Sequence, residues 1–455
     1  MILYICTTTK SVEFYRKGDY MIERNKYLNI LIKNKNNGFP KVITGIRRCG
    51  KSYLLNTIYK EYLLNNGIDE NSIIILELDD DKNINYRNPI ELGKYIRNKS
   101  KNKKMCYVFI DEIQLVDTII NPIYTDGKII LSKYGQEHTV SFVDVVLGLS
   151  REKNIDLYVT GSNSKMLSSD VITEFRDKAT NIHIQPLSFE EYYNYVGGSK
   201  NDAVYEYLQY GGMPLSIDLE EEDKKQYLIN LFKLTYLKDI LDRNKLQKIE
   251  VIDELCNIIS ECAGQLINSE KISNVYITKS KEKIDKHTID KYISLFEDSF
   301  LLSGVKRYDV KGNREIGALR KYYFVDNGLR NARLNFAYTD EGQMLENMVY
   351  NELVYNGYTI NVGVFDRIEK DKNGKSIRKD YEIDFIAKKG IRKYYIQVCC
   401  DMNSTGTRQR EIKPYRKLND QIQKIIVINK PINETRDEYG FTIIGVADFL
   451  LRFIK

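Results

Sequence analysis

Gly45-Ile46-Arg47-Arg48-Cys49-Gly50-Lys51-Ser52 decides the fold. Its spacing, G-x-x-x-x-G-K-[ST], makes a loop that closes around phosphate when a strand leads in and a helix leads out. Both flanks meet that condition. Lys41-Val42-Ile43-Thr44 reads as a short apolar strand, and Tyr53-Leu54-Leu55, Ile58-Tyr59 and Tyr62-Leu63 recur at helical spacing until Asn65-Asn66-Gly67. Glycines at 45 and 50 let the backbone turn its N–H groups inward on anionic oxygens, reinforced by the positive end of the helix. The predicted nucleotide contacts are therefore Gly45, Ile46, Arg47, Arg48, Cys49, Gly50, Lys51, Ser52 and Tyr53. Lys51 would place its ammonium on the β- and γ-phosphates of ATP, and the Ser52 hydroxyl would ligate Mg²⁺.

Working outward, Tyr107-Val108-Phe109-Ile110 is an apolar strand that ends in Asp111-Glu112. At that distance beyond a phosphate loop, Asp111 is the second expected Mg²⁺ holder, and Glu112 is expected to orient or activate the attacking water. The next apolar strand, Leu157-Tyr158-Val159-Thr160, runs into Gly161-Ser162-Asn163-Ser164. Small polar side chains at that tip would lie beside the γ-phosphate and report its presence, with Ser162 the first choice and Thr160 and Asn163 behind it. Lys51, Glu112 and Ser162 are thus the catalytic candidates. Arg176 is a candidate for stabilising transition-state charge, and Arg243 for a lid contact.

The 455 residues exceed one hydrophobic core, so two or three domains are expected. Predicted strands at 73–78, 105–110, 156–160 and 181–184 alternate with predicted helices at 20–36, 89–99, 141–153 and 188–196. That alternation means an α/β fold, a parallel sheet covered on both faces. Residues 121–140 interrupt it, and Asp126-Gly127 between short apolar runs predicts an inserted hairpin. From about residue 217 charged helices take over, including the 236–246 stretch. Residues 250–335 give three helices, the last at 288–302, and then two strands, the order of a winged helix. A further helix from Gly342 leads to strands near 359–365, 381–387 and 394–399. The expected division is 1–216, 217–335 and 336–455.

Charge is uneven. Residues 301–455 hold 28 Lys and Arg against 20 Asp and Glu, whereas the first 300 hold 41 against 43. The positive excess lies in the C-terminal third, where it points to DNA or to a solvated basic face. Seven cysteines at irregular spacing and three histidines outside any ligand cluster predict free thiols and no zinc site. Apolar runs have strand length rather than membrane length, and the N-terminal Met-Ile-Leu-Tyr-Ile-Cys breaks into polar residues at once. A cytoplasmic protein without membrane contact is expected.

Together these motifs resemble a bacterial and archaeal family of AAA+-type P-loop ATPases. The resemblance rests on Gly45 to Ser52, on Asp111-Glu112-Ile113-Gln114, on Thr160 to Ser164, on Pro186-Leu187-Ser188-Phe189-Glu190-Glu191-Tyr192 and on Gly211-Gly212-Met213-Pro214. Similar proteins often carry arginine-glycine-arginine where this chain has Arg176-Asp177-Lys178. The resemblance implies a winged-helix region and a C-terminal domain similar to PD-(D/E)XK nucleases. It places that domain's metal-binding acids at Glu346 and Asp384 and the following polar position at Gln397, while the catalytic lysine position falls on Cys399. A thiol cannot supply an ammonium, so a degenerate nuclease fold used for binding is expected.

Three functions compete on this reading. The first is an ATP-driven switch whose nucleotide state repositions C-terminal DNA- or protein-binding modules, with DNA, partner proteins or self-association as the expected contacts. The second is an ATP-dependent nuclease or DNA-processing defence enzyme. The third is a DNA-binding regulator whose helix 288–302 enters the major groove, with Lys306, Arg307, Lys311 and Arg314 near the wing. Asp290, Glu297 and Asp298 on that helix's outward face would repel phosphate.

Overall fold

Apolar, largely β-branched runs dominate the first of two units, Met1–Ile184; the second is Gln185–Lys455. The computed structural model describes residues 21–133, 136–161, 178–237, 240–241, 249–280, 283–337, 340–370, 375–400, 402, 405–418 and 420–455. In the first unit β1 (Lys41–Thr44), β2 (Ile73–Glu77), β3 (Cys106–Asp111), β6 (Ile155–Gly161) and β7 (Thr180–His183) pair in parallel, in the order β2-β3-β6-β1-β7. Every residue of β1, β3 and β6 is buried, as expected for central strands covered on both faces. One covering layer is α2 (Pro89–Ser100) and α3 (Phe142–Leu149), whose Leu92, Ile96, Val146 and Leu149 pack with Val42, Val108 and Val159 of the sheet. On this sheet the central strands end together, and ligands of open α/β sheets bind at such ends.

Two predicted helices differ in length for local reasons. α1 spans Asn25–Lys33 rather than 20–36, because the chain leaves the helix into Asn36 and Gly38, both in the left-handed region. α3 starts where Ser141 caps it with a reciprocal Asp144 contact, and it ends at Leu149. The helix after the phosphate loop runs through Lys51–Tyr53, Leu54–Tyr59 and Lys60–Asn65, with its middle segment wound as a π-helix. The insertion is a hairpin, as its sequence predicts. Asp126 and Gly127 have φ of +50° and +80°, and Lys128 N–H donates to Thr125 O at 2.9 Å. At its base β4 (Ile119–Ile120) pairs with β5 (Thr139–Val140).

A buried polar network ties the phosphate-loop helix to the sheet. The Lys41 ammonium pairs with Asp156 Oδ1, and Asp156 Oδ2 accepts from Tyr158 OH at 2.7 Å and Asn36 N–H at 3.0 Å. The Tyr158 hydroxyl in turn lies 2.6 Å from that of Tyr59 on the helix.

The second unit opens with α4 (Phe189–Val196), α5 (Lys200–Tyr210) and α6 (Glu221–Asn230). After α7 (Ile249–Glu261), α8 (Ser269–Ser280) and α9 (Lys286–Asp298) come β8 (Leu302–Asp309) and β9 (Arg314–Phe324), an antiparallel pair in the predicted order. That pair is not a free-standing wing. β8 also pairs in parallel with β10 (Thr359–Lys370), so the hairpin forms one end of an eight-stranded mixed sheet. β11 (Ser376–Lys389), β12 (Arg392–Cys399), β13 (Gln423–Ile428), β14 (Thr435–Arg436) and β15 (Thr442–Gly445) complete it in the order β14-β15-β13-β12-β11-β10-β8-β9. Lys306 and Lys311, expected near DNA, pair with Glu315 at 2.9 Å and Asp366 at 3.9 Å.

The Pro186–Tyr192 and Gly211–Pro214 motifs meet inside this unit. Leu187 N–H donates to Gly212 O at 2.8 Å, and a Cβ at Gly212 would lie 2.3 Å from Leu187 O, so the approach requires glycine. α10 (Asn327–Arg333) and α11 (Glu341–Tyr355) hold both motifs. Asp326, the N-cap of α10, accepts from Gly212 N–H at 2.7 Å, and Glu352 of α11 accepts from Phe189 N–H at 2.5 Å. Burial raises the Asp326 carboxyl to about 6 and that of Glu352 to about 8.

Candidate nucleotide site

Three neighbouring elements bring the predicted residues together. β1 delivers Gly45 with φ +148°, and its missing Cβ would lie 2.2 Å from Ile184 O, so the loop can pass the end of β7 only because residue 45 is glycine. The buried Cys49 thiol hydrogen-bonds that same Ile184 carbonyl at 3.5 Å, and Cys49 O accepts from Arg24 Nη1 at 3.4 Å. Gly50 turns through φ +97° into the helix. Ile46 is buried, whereas Arg48 is exposed at φ +60°. The Lys51 ammonium is buried and donates to Gly45 O at 3.1 Å and Ile46 O at 3.0 Å. The loop is thus folded around its own lysine, with the cationic head inside the cradle. Tyr53 follows Ser52 in the first helical turn.

β3 brings its acids to the same place. Asp111 Oδ2 accepts from Ser52 Oγ at 2.6 Å, and Asp111 Oδ1 accepts from Thr160 Oγ1 of β6. Thr160 Oγ1 accepts from Glu112 N–H at 3.2 Å, so one hydroxyl bridges the two adjacent acids. Glu112 sits in the left-handed region at φ +53°, and the Gln114 amide donates to its Oε2. Burial raises the Glu112 carboxyl above its ordinary range and Asp111 adds to this, while Lys51 and Arg47 oppose it. Glu77, at the tip of β2, is also raised, by burial and then by Asp111, and it accepts from Asn56 at 2.9 Å.

A hydroxyl and a carboxylate at a helix start are hard oxygen donors that suit Mg²⁺. The concave loop, with the Lys51 ammonium held inside it, suits a phosphate. The residues present therefore fit Mg²⁺ and ATP.

Sequence reasoning missed His183. Its Nδ1 lies 3.2 Å from Thr44 Oγ1, and burial followed by the nearby Lys51 charge lowers it to about 4, so it is neutral near pH 7. No local pattern marks it; only the parallel register pairing Thr44 with His183 brings it to the loop. Ser162, Asn163, Arg176 and Arg243 lie outside the described residues.

In the second unit Glu346 on α11 and Asp384 on β11 converge on a side chain the sequence did not mark. Lys321 Nζ of β9 lies 2.9 Å from Glu346 Oε1 and 3.3 Å from Asp384 Oδ1. Gln397, on β12, has a buried Oε1 without a hydrogen-bond partner among the described residues, and Cys399 packs in the apolar core. The signal available was a lysine beside the aromatic strand end Tyr322-Tyr323-Phe324.

A parallel sheet whose strand tips carry this loop, helix and acid pair defines a P-loop ATP-binding unit of the AAA class. Residues 37–193 match the AAA domain family AAA_14, and residues 201–340 match a domain of unknown function, DUF8612. The chain belongs to one family with an uncharacterized protein of Haemophilus influenzae, 30% identical over 442 residues that cover 95% of this chain and 99% of that one. An uncharacterized protein of Methanocaldococcus jannaschii is 27% identical over 431 residues, 92% of this chain and 86% of that one. Among solved structures, the Aeropyrum pernix ORC1 protein in complex with DNA aligns with a TM-score of 0.32 at 9% identity, covering 69% of this chain and 93% of that one. A likeness so distant carries no functional argument. No helix among the described residues is long and apolar enough to cross a membrane.

Proposed function

We propose that this chain is a Mg²⁺-dependent ATP-binding protein that hydrolyses ATP slowly and works as a nucleotide-controlled switch for DNA- or protein-binding modules in its C-terminal part. The threefold division at residues 216 and 335 belongs to this proposal. The observation that carries it is the Asp111 carboxylate, gripped on one oxygen by Ser52 of the phosphate-loop helix and on the other by Thr160 of β6. That one group joins the element that would hold the phosphates to a strand that would sense them.

Ser52 and Asp111 would hold Mg²⁺, which would neutralise charge on the β- and γ-phosphates. Lys51 would exchange its two loop carbonyls for phosphate oxygens, so nucleotide arrival changes the loop's own hydrogen bonding. Glu112 would orient the attacking water and take its proton. Its backbone N–H is fixed by Thr160, its carboxylate is held by Gln114, and its raised pKa makes it a better proton acceptor near neutrality. Arg176 and Ser162 remain candidates for transition-state and sensing roles.

ATP turnover of the native protein, Lys51→Ala and Glu112→Gln tests this reading, with and without DNA and RNA. The expected outcome is slow native turnover, lost in both variants, with nucleotide binding lost only in Lys51→Ala. Equal turnover in all three proteins refutes it. For the DNA-binding part, the excess of eight positive charges after residue 300 predicts an affinity that falls steeply with salt, and a flat salt response refutes it.

A further inference from the structure

Lys321 lies in no motif, yet its ammonium faces three carboxylates in the second unit. Its Nζ lies 2.8 Å from Glu382 Oε1, 2.9 Å from Glu346 Oε1 and 3.3 Å from Asp384 Oδ1. An ammonium has three N–H donors, and here each faces a different carboxylate. The Lys321 side chain is only 3% exposed. Neighbouring protein groups satisfy the acids further. Tyr323 OH donates to Glu346 Oε1 at 2.6 Å, and Val398 N–H donates to Asp384 Oδ2 at 2.9 Å. β9, β11 and α11 thus meet at one charge centre.

We propose that the Lys321 ammonium is the resident cation of this carboxylate cluster, held at its centre and barring divalent ions from it. The argument is one of size and charge. Mg²⁺ takes oxygens at about 2.0–2.1 Å and Ca²⁺ at about 2.3–2.6 Å. The carboxylates stand off at N–H···O distances, so they are spaced for an ammonium rather than a bare metal. Among the described residues no group of three or more His, Cys, Asp or Glu is disposed to hold a metal ion. A divalent ion entering beside Lys321 would meet a like charge at short range in a poorly solvated site. Removing the ammonium leaves a void between three acids, matched better to Ca²⁺ than to Mg²⁺. The inference concerns a centre separate from the nucleotide site and does not depend on ATP binding.

The test uses the nucleotide-free full chain. Calorimetric titration with Ca²⁺ and Mn²⁺ should show no uptake that depends on Asp384, and the native Tm should not move with either ion. Lys321→Ala should lower Tm by on the order of 10 °C, because Glu346 and Asp384, whose side chains are 14% and 9% exposed, lose their counter-charge. Millimolar Ca²⁺ should restore at least half of that loss, and the double variant Lys321→Ala, Asp384→Asn should lose the rescue. Where Lys321→Ala does not fold unaided, its soluble yield on refolding with and without Ca²⁺ gives the same readout. Uptake of either ion by the native protein that Asp384→Asn abolishes overturns the proposal. So does a Lys321→Ala variant that keeps native stability, or one that Ca²⁺ fails to rescue.

Discussion

Replacing Thr160 with valine keeps the shape of the β6 tip and removes one oxygen. That oxygen donates to Asp111 Oδ1 and accepts from Glu112 N–H at 3.2 Å, and Thr160 itself is fully buried. A hydrogen bond to a charged group contributes roughly 1.5–3 kcal/mol, and an unsatisfied buried donor costs roughly 1–3 kcal/mol. Thr160→Val should therefore destabilise the first unit by about 3 kcal/mol. If about 2 kcal/mol of the lost Glu112 anchoring comes off the transition state, turnover falls by roughly thirtyfold. Nucleotide affinity should change far less, since Lys51 and the loop are untouched. Thr160→Ser restores the oxygen and should recover most of both losses. The assays are thermal unfolding and single-turnover ATP hydrolysis on the valine and serine variants. Native hydrolysis by Thr160→Val, or equal impairment of the serine and valine variants, refutes the claim that this hydroxyl positions Glu112.

Gly45→Ala should abolish measurable nucleotide binding, because its Cβ would lie 2.2 Å from Ile184 O at φ +148°; titration with a fluorescent ATP analogue checks it, and native affinity refutes it. Lys41→Met should cost about 3–5 kcal/mol in chemical denaturation by stranding Asp156, which is only 3% exposed, and replacing Asp156 by leucine in the same chain should recover part of that cost. Glu352 is raised from 4.5 to about 8, so its contribution is fully present below about pH 4.5 and is lost as pH rises towards 8. The Tm of the second unit should accordingly fall between pH 5 and pH 8, and Glu352→Gln should flatten that slope; an unchanged slope refutes the assignment.

Local signals made the first unit legible. The loop spacing, the strand before it and the helix after it lie within a few residues of one another, and runs such as Cys106–Asp111 are buried end to end, so hydrophobic pattern alone identifies them. Ser52, Asp111 and Thr160 were each picked out from a strand or helix tip, and the parallel register brings those tips together. What escaped depends on contacts between distant positions. His183 reaches the loop only through its pairing opposite Thr44, and Lys321 meets Glu346, Glu382 and Asp384 only through the tertiary fold. The two-strand pattern after α9 was visible, but its fusion to β10 was not, since strand pairing across that separation leaves no mark on composition.

The parallel pairing of β8 with β10 constrains how this protein can be cut. A fragment ending near residue 335 keeps both strands of the hairpin but leaves β8 with bare N–H and C=O groups along the edge that β10 normally covers. The same cut removes all three acids around Lys321, leaving its ammonium without them. Such a fragment should self-associate through that open edge, so the hairpin and the strands after it are better expressed as one piece.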